Sequence, residues 1–265
     1  MSYDLAVFEK SKAPVDAEGF LQWYGEQTEW GGDYDYNDIA HASPDLQKFF
    51  HQIRTVFPPM NGAFAPGDEE LSASPDLEGR LCDYCIGEDI IYLSLAYSVA
   101  DRAYALVKRA AYFAGVGFFA VSEEGSIPAL LEGRCPMLLE GEWFQPVRVS
   151  GFDSIREKLG EMSAKNHSYL YLTDQSDSYL QVGGYGDAFT VEKRIYTDCV
   201  SYTHQKAGYL LTGKSDGDGS VMIAGNPVKV KRRQILSGKT VQKLFQDFFQ
   251  ETETVDSVEW VNMEL

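Results

Sequence analysis

Long apolar runs are missing from this sequence of 265 residues. No stretch approaches the roughly eighteen apolar residues that a spanning helix needs, so no membrane is expected as a partner. Basic residues are also scarce, with 23 Lys and Arg against 40 Asp and Glu, a formal charge of −17. A surface so negative repels phosphate backbones, because nucleic-acid binding rests on neutralising phosphates with Lys and Arg. Nucleic acid is therefore not an expected partner, whereas basic macromolecules are drawn in by long-range steering. The N-terminal Met1-Ser2-Tyr3-Asp4-Leu5 has neither a basic region nor an apolar leader, so no signal peptide is expected.

Cysteine is sparse too: Cys82, Cys85, Cys135 and Cys199. Cys82 and Cys85 form a C-x-x-C inside the strand-like run Leu81–Ile86, where alternate side chains point to opposite faces, so the two thiols should diverge. No second pair supplies further zinc ligands. The expectation is reduced, buried cysteines with no metal, as in a cytoplasmic protein. Catalytic signatures are equally thin. His41, His51, His167 and His204 sit in no G-x-S-x-G or H-E-x-x-H setting, so neither catalytic residues nor a cofactor are expected.

What the chain has is apolar mass. It is 44% hydrophobic, with 15 Phe and 16 Tyr, enough for real cores and most compatible with two domains. Residues 1–150 hold 10 Lys and Arg against 24 Asp and Glu, a net −14, while residues 151–265 carry only −3.

The first half opens with a short strand, Tyr3 to Glu9, then a helix from about Asp16 with Phe20, Trp23, Tyr24 and Gln27 on one stripe. Ser43-Pro44 starts a second helix, whose Leu46, Phe49, Phe50, Ile53 and Phe57 recur at helical spacing until Pro58-Pro59 stops it. Residues 61–79 read as loop. Strands follow at 81–86 and 89–97, then a long helix that Ser98 and Asp101 should cap and Gly115 should close, then a strand at 116–122. The order β-α-α-β-β-α-β is the split βαβ, ferredoxin-like pattern with one extra helix. It requires the apolar third strand inside the sheet and the more polar second strand at an edge.

Residues 126–150 read as a connection or a hairpin between domains of residues 1–125 and 151–265. The second half reads as a helix with Phe152, Ile155, Leu159 and Met162, then an antiparallel meander. Its strands fall at 168–173, 179–182, 189–196 and near 199–203, 208–212, 220–224 and 227–232. A helix after Ser237 and a strand around Trp260 end it. The fold class expected is α+β throughout.

Three motifs favour bland readings. Gly183-Gly184-Tyr185-Gly186 joins strand to strand, so it is a turn rather than a phosphate cradle. Asp216–Ser220 resembles a calcium loop, but the twelfth position is Pro227 where a Glu is needed. Lys229, Lys231 and Arg233 share one strand face, which is ordinarily a solvated one. The stretch Glu26–Asp38 is more suggestive, placing five acids and three large aromatics in a helix end and loop. Exposed aromatics anchor interfaces and acids select basic partners, which makes Glu29, Trp30, Asp33, Tyr34, Asp35 and Asp38 the candidate partner-binding residues. The alternative is that Trp30, Tyr34 and Tyr36 fold back over the sheet.

Ser178-Tyr179-Leu180-Gln181-Val182-Gly183-Gly184-Tyr185-Gly186, followed by Phe189-Thr190-Val191-Glu192, resembles an immunity-protein family of bacterial polymorphic-toxin systems. Leu236-Ser237, Phe245 and Trp260 agree with it, so the resemblance covers roughly residues 150–265. Met1–Phe8 and Phe57–Gly62 resemble uncharacterised proteins found beside such modules, and the fused pair is similar to immunity proteins of type VI secretion effectors. The resemblance implies a non-catalytic protein that occludes a cognate toxin without a cofactor. Many such toxins are nucleases, whose basic phosphate clefts suit an acidic inhibitor. It transfers no site residue, because partner contacts vary across the family. The competing class is a small-ligand-binding or enzymatic ferredoxin-like protein.

Overall fold

The computed structural model describes residues 2–126, 128–129, 136–162, 166–211 and 216–263. The chain divides into two compact units, Met1–Gly133 with Asp198–Val200, and Arg134–Thr197 with Ser201–Leu265. Both are α+β, and no helix among the described residues is long and apolar enough to cross a membrane.

In unit 1, the chain order is β1 (Ser2–Phe8), α1 (Ala17–Gln27), α2 (Pro44–Ile53), α3 (Asp68–Ala73), α4 (Pro75–Glu78), β2 (Cys82–Ile86), β3 (Ile90–Ala96), α5 (Ala100–Ala114) and β4 (Gly117–Phe119). The sheet order is β2-β3-β1-β4, antiparallel throughout, as the split βαβ pattern demands. β3 lies inside and β2 at an edge. The cause is composition: β3 buries Ile90, Ile91, Leu93 and Leu95, while β2 turns Asp83 to solvent.

Strand alternation gives this sheet two apolar faces. Leu5, Val7, Ile91, Leu93, Leu95, Tyr84 and Ile86 meet the stripes of α2 and α5, including Leu46, Phe49, Phe50, Ile53, Val107 and Ala110. Tyr84 is anchored here, donating to the Phe57 carbonyl at 2.7 Å and meeting Phe50 edge-on at 5.2 Å. The extra helix α1, N-capped by Asp16 onto the Gly19 N–H, covers the other face. Its Phe20 packs on Phe8 at 4.9 Å and Phe119 at 5.2 Å.

Two local expectations are corrected. Residues 61–79 are not all loop, since Asp68, Glu69 and Glu70 favour the first turn of α3 and Pro75 starts α4. Ser98 does not cap α5. It lies within a 3₁₀ turn, Tyr97–Val99, that runs straight into the helix. Gly115 closes α5 in the left-handed region (φ 86°), as expected.

Unit 2 comprises β5 (Met137–Gly141), β6 (Phe144–Val149), α6 (Phe152–Glu161), β7 (Tyr169–Thr173), β8 (Tyr179–Tyr185), β9 (Ala188–Tyr196), β10 (Tyr202–Tyr209), β11 (Asp218–Ile223), β12 (Asn226–Lys231), α7 (Gly238–Gln250) and β13 (Val258–Asn262). Its main sheet has the order β13-β10-β9-β8-β7-β5-β6, and β11 and β12 form a separate hairpin. Much of the 126–150 segment is thus the β5–β6 hairpin, which joins the second sheet because Met137 and Leu139 are buried in its core. The strands expected at 199–203 and 208–212 merge into one strand, β10, because Ala207 is buried and the ladder to β9 over residues 202–206 runs on into the ladder to β13 over residues 205–209; residue 212 lies outside the described residues.

α6 and α7 cover one face of this sheet, with Val241, Leu244, Phe245 and Phe248 packed on Leu170, Leu172, Leu180, Val182 and Val191. Ser237 caps α7 through the Thr240 N–H. The glycine cluster does bring β8 and β9 into a hairpin, but Gly183 and Gly184 lie within β8 and the turn falls at Gly186-Asp187.

Candidate partner-binding surfaces

The acid and aromatic loop of unit 1 is built on a packed base. α1 ends at Thr28, and Trp30 then takes a left-handed backbone (φ 51°), a position bulky residues rarely occupy. That turn carries its indole back onto the α1 face of the sheet, edge-on to Tyr36 at 5.4 Å and Tyr92 at 6.4 Å. Tyr36 closes the loop by accepting from the Gly32 N–H at 2.7 Å. Its carbonyl also accepts from the Ile86 N–H, tying the loop to β2. Tyr34 lies against Tyr36 at 5.0 Å and His41 at 4.1 Å. Burial pushes the Tyr34 phenol up, against the lowering effect of a hydrogen bond from the Glu88 backbone.

The candidate residues therefore separate by type. Trp30 and Tyr34 are half-buried and hold the loop, while Glu29, Asp33, Asp35 and Asp38 are exposed. Two of these acids also shape the backbone. Asp35 accepts from the Asn37 backbone and amide at 2.9 and 3.0 Å, which holds its carboxyl below the usual range. Asp38 caps the 3₁₀ turn Ile39–His41 through the Ala40 N–H at 2.9 Å. Glu29 and Asp33 are exposed, and neither side chain caps a turn among the described residues.

A second feature lies in unit 2. A cleft of about 680 Å³ opens between the β9-β10-β13 end of the sheet, the C-terminal turn of α7 and residues 251–256. Leu180, Ile195, Leu244, Phe248, Val258 and Trp260 supply its apolar walls. The Lys193 ammonium sits 4.2 Å from the centre of the Trp260 ring, where burial lowers its pKa and Glu253 opposes the shift. Buried Asp247 holds the covering segment in place. Its carboxylate accepts from the Thr252 hydroxyl at 3.0 Å, the Thr254 N–H at 2.7 Å and the Thr254 hydroxyl at 2.7 Å. Sequence reasoning placed Phe248 and Trp260 on a helix face and a strand but missed the cleft. The available signal was the alternation of acids and threonines in Glu251-Thr252-Glu253-Thr254, too polar for a core yet wedged between two apolar elements.

Cys82 is buried in the α2/α5 core and Cys85 lies on the opposite face of β2. Burial pushes the Cys82 thiol up strongly and the Cys85 thiol up to about 11. Cys199 is also buried, and Cys135 lies outside the described residues. Among those residues, no His/Cys/Asp/Glu group could hold a metal ion. At pH 8, Cys85 is expected to alkylate slowly, because little thiolate forms that far below its pKa. Cys82 and Cys199 should react only on unfolding. Timed iodoacetamide labelling with peptide mapping checks the order, and early labelling of Cys82 would contradict it.

No protein-family model matches the chain, and no curated protein sequence matches it.

Proposed function

We propose that this chain is a non-catalytic immunity protein that binds and occludes a cognate secreted bacterial toxin, with the acid and aromatic loop of unit 1 as a contact surface. The observation that carries the reading is the separation of roles in that loop. Aromatics pinned by packing fix its shape, and the acids of Glu29, Asp33, Asp35 and Asp38 face outward from it. Such preorganisation limits the entropy lost on docking, and a fixed array of like charge accelerates encounter with a basic partner. The net charge of −17 and the resemblance of residues 178–192 to immunity proteins support the same reading. A nuclease is the toxin class this charge suits, because its phosphate-binding cleft is basic.

The test is kinetic binding to a toxin encoded beside the gene, at two salt concentrations, together with a growth-protection assay. Changing Asp33, Asp35 and Asp38 to Asn is expected to slow association and flatten its salt dependence, with dissociation little changed. Trp30→Ala or Tyr34→Ala is expected to weaken binding through the loss of the packing that fixes the loop's shape, since an unfixed loop must be ordered on docking. Unchanged rates with an intact fold would move the interface elsewhere. A wild-type protein that neither binds the toxin nor protects cells would end the immunity reading.

A second reading, small-ligand binding, is favoured by the unit 2 cleft alone. Its size falls in the roughly 300–1,000 Å³ range of small-molecule sites, and its walls mix apolar and polar groups.

A further inference from the structure

The two larger sheets have four edges, and three are covered or blunted. At the β2 edge, the Cys82 N–H donates to the Pro58 carbonyl and the Met60 N–H to the Cys82 carbonyl, both at 2.9 Å. At the β4 edge, Phe118 and Ala129 exchange two backbone bonds of 2.9 and 2.8 Å. The β6 edge carries Pro146, which has no donor, and the charged Arg148.

The fourth edge has no covering strand and no proline. β13 pairs with β10 alone, and its one charged side chain, Glu259, is ion-paired with Arg233. Among the described residues, no backbone group outside β10 bonds residues 259–262. An open row of donors and acceptors is a template for another strand, which is why sheets ordinarily defend their edges.

The bare edge also borders the cleft. Val258 and Trp260 form one wall of it, and a strand added beside β13 would turn alternate side chains to that same face. The interior offers Leu180, Ile195 and Phe248 to an apolar side chain. A cation is disfavoured inside, because the Lys193 ammonium already occupies the Trp260 ring. The exposed acids Glu253 and Asp256 line the rim instead, where Lys or Arg would be drawn.

We propose that the β13 edge is a strand-addition site for an extended basic segment of a partner protein, with alternate apolar side chains entering the cleft and Lys or Arg side chains meeting Glu253 and Asp256. Main-chain bonds to β13 would supply affinity, and the cleft and rim would supply selectivity. Only the partner's identity as a toxin rests on the immunity reading.

The test uses the full chain and three blocked octapeptides: one alternating lysine and valine, one with glutamate for lysine, and the lysine peptide with alternate backbone N-methyl groups. Amide hydrogen exchange at residues 258–262 and the indole NMR signal of Trp260 are followed. The lysine peptide is expected to slow exchange at this edge about tenfold or more, as open backbone groups gain partners, and to shift the indole signal. The glutamate and N-methyl peptides should do neither. The double variant Glu253→Lys, Asp256→Lys should weaken the lysine peptide about tenfold through like-charge repulsion. Equal binding of the three peptides, or no protection at 258–262, overturns the proposal. So does edge protection that rises with protein concentration alone, which would assign the edge to a second copy of the chain. A toxin that binds while leaving exchange at 258–262 unchanged removes strand addition and leaves the immunity reading intact. Peptide protection without toxin binding upholds strand addition and removes that reading.

Discussion

Replacing Gly184 with alanine is expected to destabilise unit 2 by about 3 kcal/mol or more, through backbone strain and overpacking together. Gly184 sits inside β8 at φ 128°, which L side chains rarely adopt. An added Cβ would lie 2.2 Å from the Ala188 carbonyl oxygen and 2.9 Å from the Phe189 Cα, both backbone atoms of the paired strand β9. It would also meet Val221 of the β11–β12 hairpin at 2.8 Å. Neither strand can withdraw without losing ladder bonds, and the Gly184 N–H is itself committed to the Ser168 carbonyl at 2.8 Å. Gly151→Ala is the control, because that glycine has open space around it and no left-handed backbone. Denaturant unfolding combined with residue-resolved hydrogen exchange checks the result. Amides of β8 and β9 should lose protection in the Gly184 variant while those of β1 and β3 keep theirs. Equal stability of the two alanine variants would refute the strain argument.

Asp247→Ala is the second large effect, about 3 kcal/mol, because it strips acceptors from two hydroxyls and one backbone N–H around a buried carboxylate. The chain at this point leaves α7 through Glu251 in the left-handed region (φ 56°) and must reverse toward β13. The Thr252 N–H bonds the Asp247 carbonyl at 2.9 Å, so backbone and side chain of one residue together set the reversal. Asp247→Asn separates the contributions. It can keep the oxygen that accepts from both threonine hydroxyls while placing an amide against the Thr254 N–H. Its loss should fall between wild type and alanine. In both variants residues 251–256 should exchange faster and the Trp260 environment change, since this segment covers the cleft that Trp260 lines. Unaltered exchange at 251–256 in Asp247→Ala would show that the reversal is held by backbone alone.

Elements with strong internal period were legible in the sequence. The apolar spacing of Leu46, Phe49, Phe50 and Ile53 fixes α2, and the apolar run of β3 against the Asp83-containing β2 fixes which strand lies inside. Both follow from local chemistry, because a stripe or run of apolar side chains must be covered wherever the chain ends up. The acid and aromatic composition of residues 29–38 was equally visible. The sequence left open whether the rings face solvent or the sheet; Tyr92, far away in the chain, receives Trp30, and His41, just beyond the loop, receives Tyr34.

Other features depend on partners remote in sequence. Pro146 and its neighbours read as either a connection or a hairpin, and they make the β5–β6 hairpin because β7 offers a ladder to Leu138–Gly141. Gly183 and Gly184 look like a turn, yet they are strand residues that let Ile223 and Val221 approach. The bare edge of β13 and the cleft beside it have no local signature at all. Whether a strand lies at an edge, and whether that edge is covered, is settled by the pairing of segments many residues apart. Composition and periodicity carry no information on that pairing, so what local chemistry fixes is the strongly periodic elements and the faces they must bury. The tertiary structure decided which backbone was left without a partner.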